Sequence, residues 1–131
     1  MAAILLDTTV VIDLLRGRPD AIERLRRLRD SGDHAYVCAI NVEETARGLR
    51  ASEAESARRL LAGLRMASLG KTEGWRAGGW RREFASRGQT LKQADCLIGA
   101  AAVTLGGRLA TGNPRDFPFD GLVVEHWPAG A

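Results

Sequence analysis

Short apolar runs of strand length alternate along this chain with longer stretches of helical spacing, and that alternation restricts the fold more than any other feature. AAILL (2–6), HAYVCAI (34–40), RLAT (108–111) and LVVEH (122–126) read as strands, with a weaker one near Met66 to Leu69. Between them lie helical patterns. One runs from about Thr9 until Gly17 ends it, and Pro19 fits the first turn of the next, where Ile22, Leu25 and Leu28 recur at helical spacing. Asn41 with Glu44, and Ser52 with Glu55, have the spacing of capping boxes. A window from Thr72 to Ser86 is helical despite Gly78 and Gly79, and Thr90 opens an Ala-rich helix. Strand, helix, strand, helix in this order predicts an α/β fold: a central parallel sheet of four to five strands, helices on both faces, three layers in one domain spanning 1–131.

Asp7 follows directly on the apolar Ile4, Leu5 and Leu6. A carboxylate beside a buried strand must be paired, solvated at the strand's end, or engaged with a cation. In parallel sheets ligands bind beyond the carboxyl ends of the strands, where Asp7 falls. Other acids occupy comparable places: Glu44 on the helix after the second strand, Asp95 early on the Ala-rich helix, and Asp116 in TGNPRDF. Two unit charges about 5 Å apart repel by roughly 3 kcal/mol at an effective dielectric near 20, so convergence of four demands protons or a divalent cation. An oxygen-only set, without His or Cys, suits Mg²⁺ or Mn²⁺ rather than zinc, and such a site suits phosphodiester hydrolysis.

Composition is open between two readings. Seventeen of the 19 basic residues are arginine, whose planar fork suits the phosphates of nucleic acid, but an Arg, Ala and Gly bias equally reflects genome composition. No segment is long and apolar enough to cross a membrane, and MAAILLD lacks the basic start of a signal peptide, so the expectation is cytoplasmic, with Cys38 and Cys96 reduced and buried. Asp13, six residues from Asp7, is expected to be solvated or to face a partner, and Trp75, Trp80 and Phe84 to lie in the core or between two copies.

Four stretches in order, DTTVVIDLL, NVEETARG, ADCLIGAAA and TGNPRDF, resemble the acidic motifs of PIN-domain ribonucleases, and most closely the VapC-type toxins of bacterial toxin–antitoxin pairs. The resemblance runs from Ala2 to about Glu125. It implies a Mg²⁺- or Mn²⁺-dependent endoribonuclease acting on tRNA or another structured RNA, inhibited by a cognate VapB-like antitoxin, and a homodimer. It maps the catalytic acids onto Asp7, Glu44, Asp95 and Asp116, with Asp7 and Asp95 as metal ligands and Asp116 and Glu44 as further candidates. Thr8 or Thr9 takes the place of the family's small hydroxyl residue. Thr111, Asn113, Asp116 and Phe117 match the family's T-x-N-x-x-D-F ending, and Arg115 is placed for phosphate contact. Glu43 is the alternative to Glu44, and Gly48, four residues on, favours Glu44; Thr45 stands where the family often has leucine. Two rival functions are a haloacid-dehalogenase-like phosphohydrolase, suggested by LLDTTVV, and a PIN-like module that binds RNA or a partner without catalysis.

Overall fold

A computed structural model describes residues 2–131. The elements are β1 (Ala3–Leu6), α1 (Thr8–Leu15), α2 (Pro19–Asp30), β2 (His34–Val37), α3 (Ala39–Arg47), a 3₁₀ turn (Ala51–Glu53), α4 (Ala54–Ala62), β3 (Arg65–Met66), α5 (Lys71–Ser86), α6 (Gln93–Leu105), β4 (Arg108–Thr111), a second 3₁₀ turn (Pro114–Asp116) and β5 (Val123–His126). All four strand pairings are parallel, in the order β3-β2-β1-β4-β5. The chain builds outward from β1 on one side and then returns to place β4 on the other. The switch point between β1 and β4 is where such sheets open a crevice.

Alternation along β1 divides the core. Leu5 faces the cluster formed with α5 and α6, including Ala77, Phe84, Ile98 and Ala102. Ile4 and Leu6 face the opposite cluster with Val10 and Val11 of α1 and Leu25 and Leu28 of α2. The three-layer α/β expectation holds, with five strands.

Several boundaries move, each for a local reason. The expected strand 34–40 stops at Val37, and α3 begins at Ala39. Asn41 is therefore not the cap but the third helical residue, and its Oδ1 accepts the Cys38 amide at 2.8 Å. Glu44 then falls in the second turn of α3. Glu53, rather than Glu55, makes the reciprocal bond at the next helix start, accepting the Arg50 amide at 2.9 Å. β3 starts one residue earlier than expected and ends at Met66, pairing Tyr36 with Arg65 and Val37 with Met66. Lys92 precedes the first turn of α6, so Thr90 lies outside the helix.

The small residues of α6 let it lie close against its neighbours. Phe119 stacks on Trp80 with centroids 4.0 Å apart and an interplanar angle of 10°, and the stack rests over Gly99. A Cβ at Gly99 would stand 2.9 Å from two Phe119 ring carbons and 3.4 Å from Trp80. Trp80 and Phe84 pack against this core, whereas Trp75 is 84% exposed and takes no part in it. Gly99→Ala is expected to cost about 1–3 kcal/mol by overpacking, read as a lower denaturation midpoint at unchanged m-value.

Candidate active site

Asp7 is the first residue past β1. Its backbone amide continues the sheet, donating to the Ala110 carbonyl at 2.8 Å. Its carboxylate is buried but not bare. Oδ1 accepts the Thr8 amide at 2.8 Å, so Asp7 caps α1, and Oδ2 accepts the Thr111 hydroxyl at 2.7 Å and the Thr9 hydroxyl at 3.4 Å. The neighbouring loop is tied in by the same hydroxyls. Thr9 Oγ1 accepts the Gly112 amide at 2.9 Å, and Thr111 Oγ1 accepts the Asn113 amide at 3.0 Å. Burial raises the Asp7 pKa, the Thr111 and Thr8 bonds oppose that rise, and the charge of Glu44 adds to it.

Glu44 joins through Thr8, whose hydroxyl donates to Glu44 Oε1 at 2.6 Å and accepts the Asn41 side-chain amide at 3.2 Å. Asn41, fully buried, thus serves both the start of α3 and the orientation of Thr8. Sequence spacing marked Asn41 only as a cap; its polar side chain inside an apolar stretch was the signal of more. Of the two adjacent glutamates Glu44 is the one turned inward to Thr8: the Glu43 side chain is 62% exposed and that of Glu44 25%. Arg47 lies 3.9 Å from each.

Asp95 is the third residue of α6 and half-buried. Its pKa is pushed up to about 6, first by burial and then by the charges of Asp116, Asp7 and Glu44, against a downward pull from Lys92. The fields of the other three predicted acids therefore meet at this one carboxyl. Asp116 closes the second 3₁₀ turn and is exposed, as are Arg115 and Asn113 beside it, while Phe117 is buried beneath. Among the described residues, no three Asp, Glu, His or Cys side chains stand close enough together to hold a metal ion by themselves.

The sequence pattern of the PIN domain matches residues 4–119. This chain is a PIN-domain protein. It is 28% identical over 115 residues to ribonuclease VapC19 of Mycobacterium tuberculosis, an alignment covering 88% of this chain and 92% of that protein. Among solved structures the PIN fold is shared with VapBC2 of Rickettsia felis, bound to a promoter DNA fragment, at a TM-score of 0.85 and 20% identity, covering 95% of this chain and 98% of that one. DNA-bound VapBC of Salmonella typhimurium matches at a TM-score of 0.82 and 21% identity, covering 97% and 99%. A toxin–antitoxin complex from Klebsiella pneumoniae matches at 0.71 and 26% identity, covering 92% and 95%. The first rival, a dehalogenase-like enzyme, finds no support in this PIN assignment.

One buried hydroxyl beside Glu44 is left over. Thr45 is 2% exposed and its hydroxyl has no hydrogen-bond partner. Thr45→Val keeps the shape and removes the orphan, so unfolding should cost about 1 kcal/mol more, measured by denaturant titration. A second expectation concerns pH. The Asp95 pKa is raised above its ordinary 3.8, so folding binds a proton more tightly and stability falls as pH climbs from about 4 through about 6. Asp95→Asn should therefore raise the melting temperature of metal-free protein at pH 7.5, by an amount equal to about 1 kcal/mol after solvent screening, and the gain should fade towards pH 4.

Proposed function

We propose that this PIN-domain chain, residues 1–131 acting as one domain, is the ribonuclease toxin of a toxin–antitoxin pair and hydrolyses phosphodiester bonds of tRNA or another structured RNA with Mg²⁺ or Mn²⁺. The observation that carries the reading is that the charges of Asp116, Asp7 and Glu44 all reach Asp95, with Lys92 as the opposing charge. That excess of negative charge would repel an RNA phosphate, so the substrate needs a cation between them.

The residues fit such an ion. All the donors are hard oxygens, and Mg²⁺ is commonly held by one or two carboxylates with water completing its shell. Asp7 and Asp95 would hold it, with Asp116 and Glu44 close by. When bound, the ion supplies an acidified water and stabilises the charge that develops on the phosphorus-bound oxygens.

The protein's own groups do the rest. Asp7 keeps its orientation through Thr8, Thr9 and Thr111, which restrict its carboxylate to one rotamer. Glu44, fixed by Thr8, is placed to orient a water. Asp95, half-buried at the start of α6, would meet the ion as a carboxylate, and the proton that the attacking water gives up passes to bulk water. Water attacks the phosphorus in line and the bond to the 3′ oxygen breaks, leaving a 5′-phosphate and a 3′-hydroxyl. Arg115, exposed beside Asp116, is free to contact a flanking phosphate.

The antitoxin and the second copy belong to the same proposal. The neighbours of similar fold are toxin–antitoxin complexes, which supports a VapB-like partner; that this partner blocks the acids, and that the chain pairs as a homodimer, are further parts of the proposal. The protein would act in the cytoplasm; among the described residues no helix is long and apolar enough to cross a membrane.

Cleavage of a tRNA pool followed by end-labelling tests this reading. The expected result is Mg²⁺- or Mn²⁺-dependent cuts bearing 5′-phosphates, abolished by chelator and reduced at least a hundredfold in Asp7→Asn and Asp95→Asn. Cleavage that survives chelation, or that persists in both variants, would sink it. A folded wild type that binds RNA without cutting it would return the non-catalytic module.

A further inference from the structure

Asp13 is a buried acid that the proposed chemistry does not use. It was expected at the surface, yet it is only 9% exposed. Its Oδ2 accepts the Gly130 amide at 2.9 Å. Thr9 and Asp13 are four residues apart on α1 and so share one face of that helix. Each receives a backbone amide from the far end of the chain: Thr9 from Gly112, Asp13 from Gly130, both at 2.9 Å.

Between those two points the segment after β5 lies against the loop of the acid cluster. The Trp127 amide donates to the Thr111 carbonyl at 2.9 Å, and its ring is buried in the cluster with Val10, Val11 and Leu14. A Cβ on Gly112 would come within 3.1 Å of the Ala129 methyl and 3.3 Å of Thr9 Oγ1. Glycine is what lets loop, segment and helix meet there. The Asp20 amide donates to the Ala131 carbonyl at 3.1 Å, adding a tie to α2.

We propose that Trp127–Gly130 is a brace for the acid cluster, clasped by Asp13, and that Asp13 is a positioning residue for the nuclease reaction. Thr111 holds Asp7 through its hydroxyl and is itself held, through its carbonyl, by the brace. Gly112 holds Thr9 and is backed by Ala129. Burying a carboxylate is costly, and here the cost secures a segment whose neighbours are the partners of the first metal-ligand candidate.

The kinetic half of the test rests on the nuclease reading; the structural half does not. Amide exchange by NMR is compared for Gly112, Trp127 and, as a core reference, Leu109, in wild type, Asp13→Ala and Asp13→Asn. In Asp13→Ala the Gly112 and Trp127 amides should exchange about tenfold faster relative to Leu109, and kcat on RNA should fall about tenfold with KM within about twofold. Asp13→Asn retains an acceptor oxygen and should recover most of both. A lower melting temperature with wild-type exchange at Gly112 and wild-type kcat would overturn the brace, as would equal losses in the Asn and Ala variants. Should Asp13→Ala not fold, Ala129→Gly removes only the methyl against Gly112; unchanged Gly112 exchange there overturns the proposal, and faster exchange supports it. If the wild type cuts no RNA, the nuclease reading fails and the exchange comparison still decides the brace.

Discussion

The hydrogen bond from the Thr111 hydroxyl to Asp7 is the contact on which the rest of the candidate site depends. It joins residues 104 positions apart in sequence, and it exists because β1 and β4 are adjacent and in register, Leu6 opposite Ala110. One residue beyond that pair, on each strand, stand Asp7 and Thr111. A slip of one residue in either strand would turn that strand's side chain to the wrong face of the sheet. Apolar burial of β1 between two helical layers fixes the register, so the core and the site are set by one arrangement.

Two buried or half-buried acids of the cluster are treated differently by their surroundings. Asp7 has desolvation opposed by an amide and two hydroxyls. Asp95 has its desolvation deepened by three like charges and relieved only in part by Lys92. The first carboxyl is held in place, and the second is poised to change its protonation near neutrality. That contrast between two aspartates comes from their environments rather than from residue type.

Much of this was legible beforehand. The strand-helix alternation yields the layered α/β fold, because period-two and period-3.6 burial leave distinct marks in sequence. The resemblance of four short motifs assembled the candidate acids, and the structure brings Asp7, Glu44 and Asp116 within electrostatic reach of Asp95. What escaped were residues whose role lies in a partner far along the chain. Asn41 looked like a cap because its spacing to Glu44 is right for one; the cap begins at Cys38 because the Asn41 side chain reaches back to that amide. Asp13 looked solvated because charge patterns on a helix say nothing of a segment arriving from residue 130. Trp75 was expected in the core or between two copies, and only the packing of α5 on α6 shows that it lies on the outward face rather than in the core.

By itself the sequence determined which residue types are available and how often apolar ones recur, and hence the elements, the layers and the oxygen-only character of the acid set. Those are properties of local spacing and composition, written in consecutive residues. Tertiary structure alone decided which hydroxyl and which amide meet each carboxylate, that Glu44 rather than Glu43 turns inward, and that the segment from Trp127 returns to Thr111 and Asp13. Contacts of that kind depend on strand order and register, which are settled by the burial of the whole core and leave no trace in any one stretch of the chain.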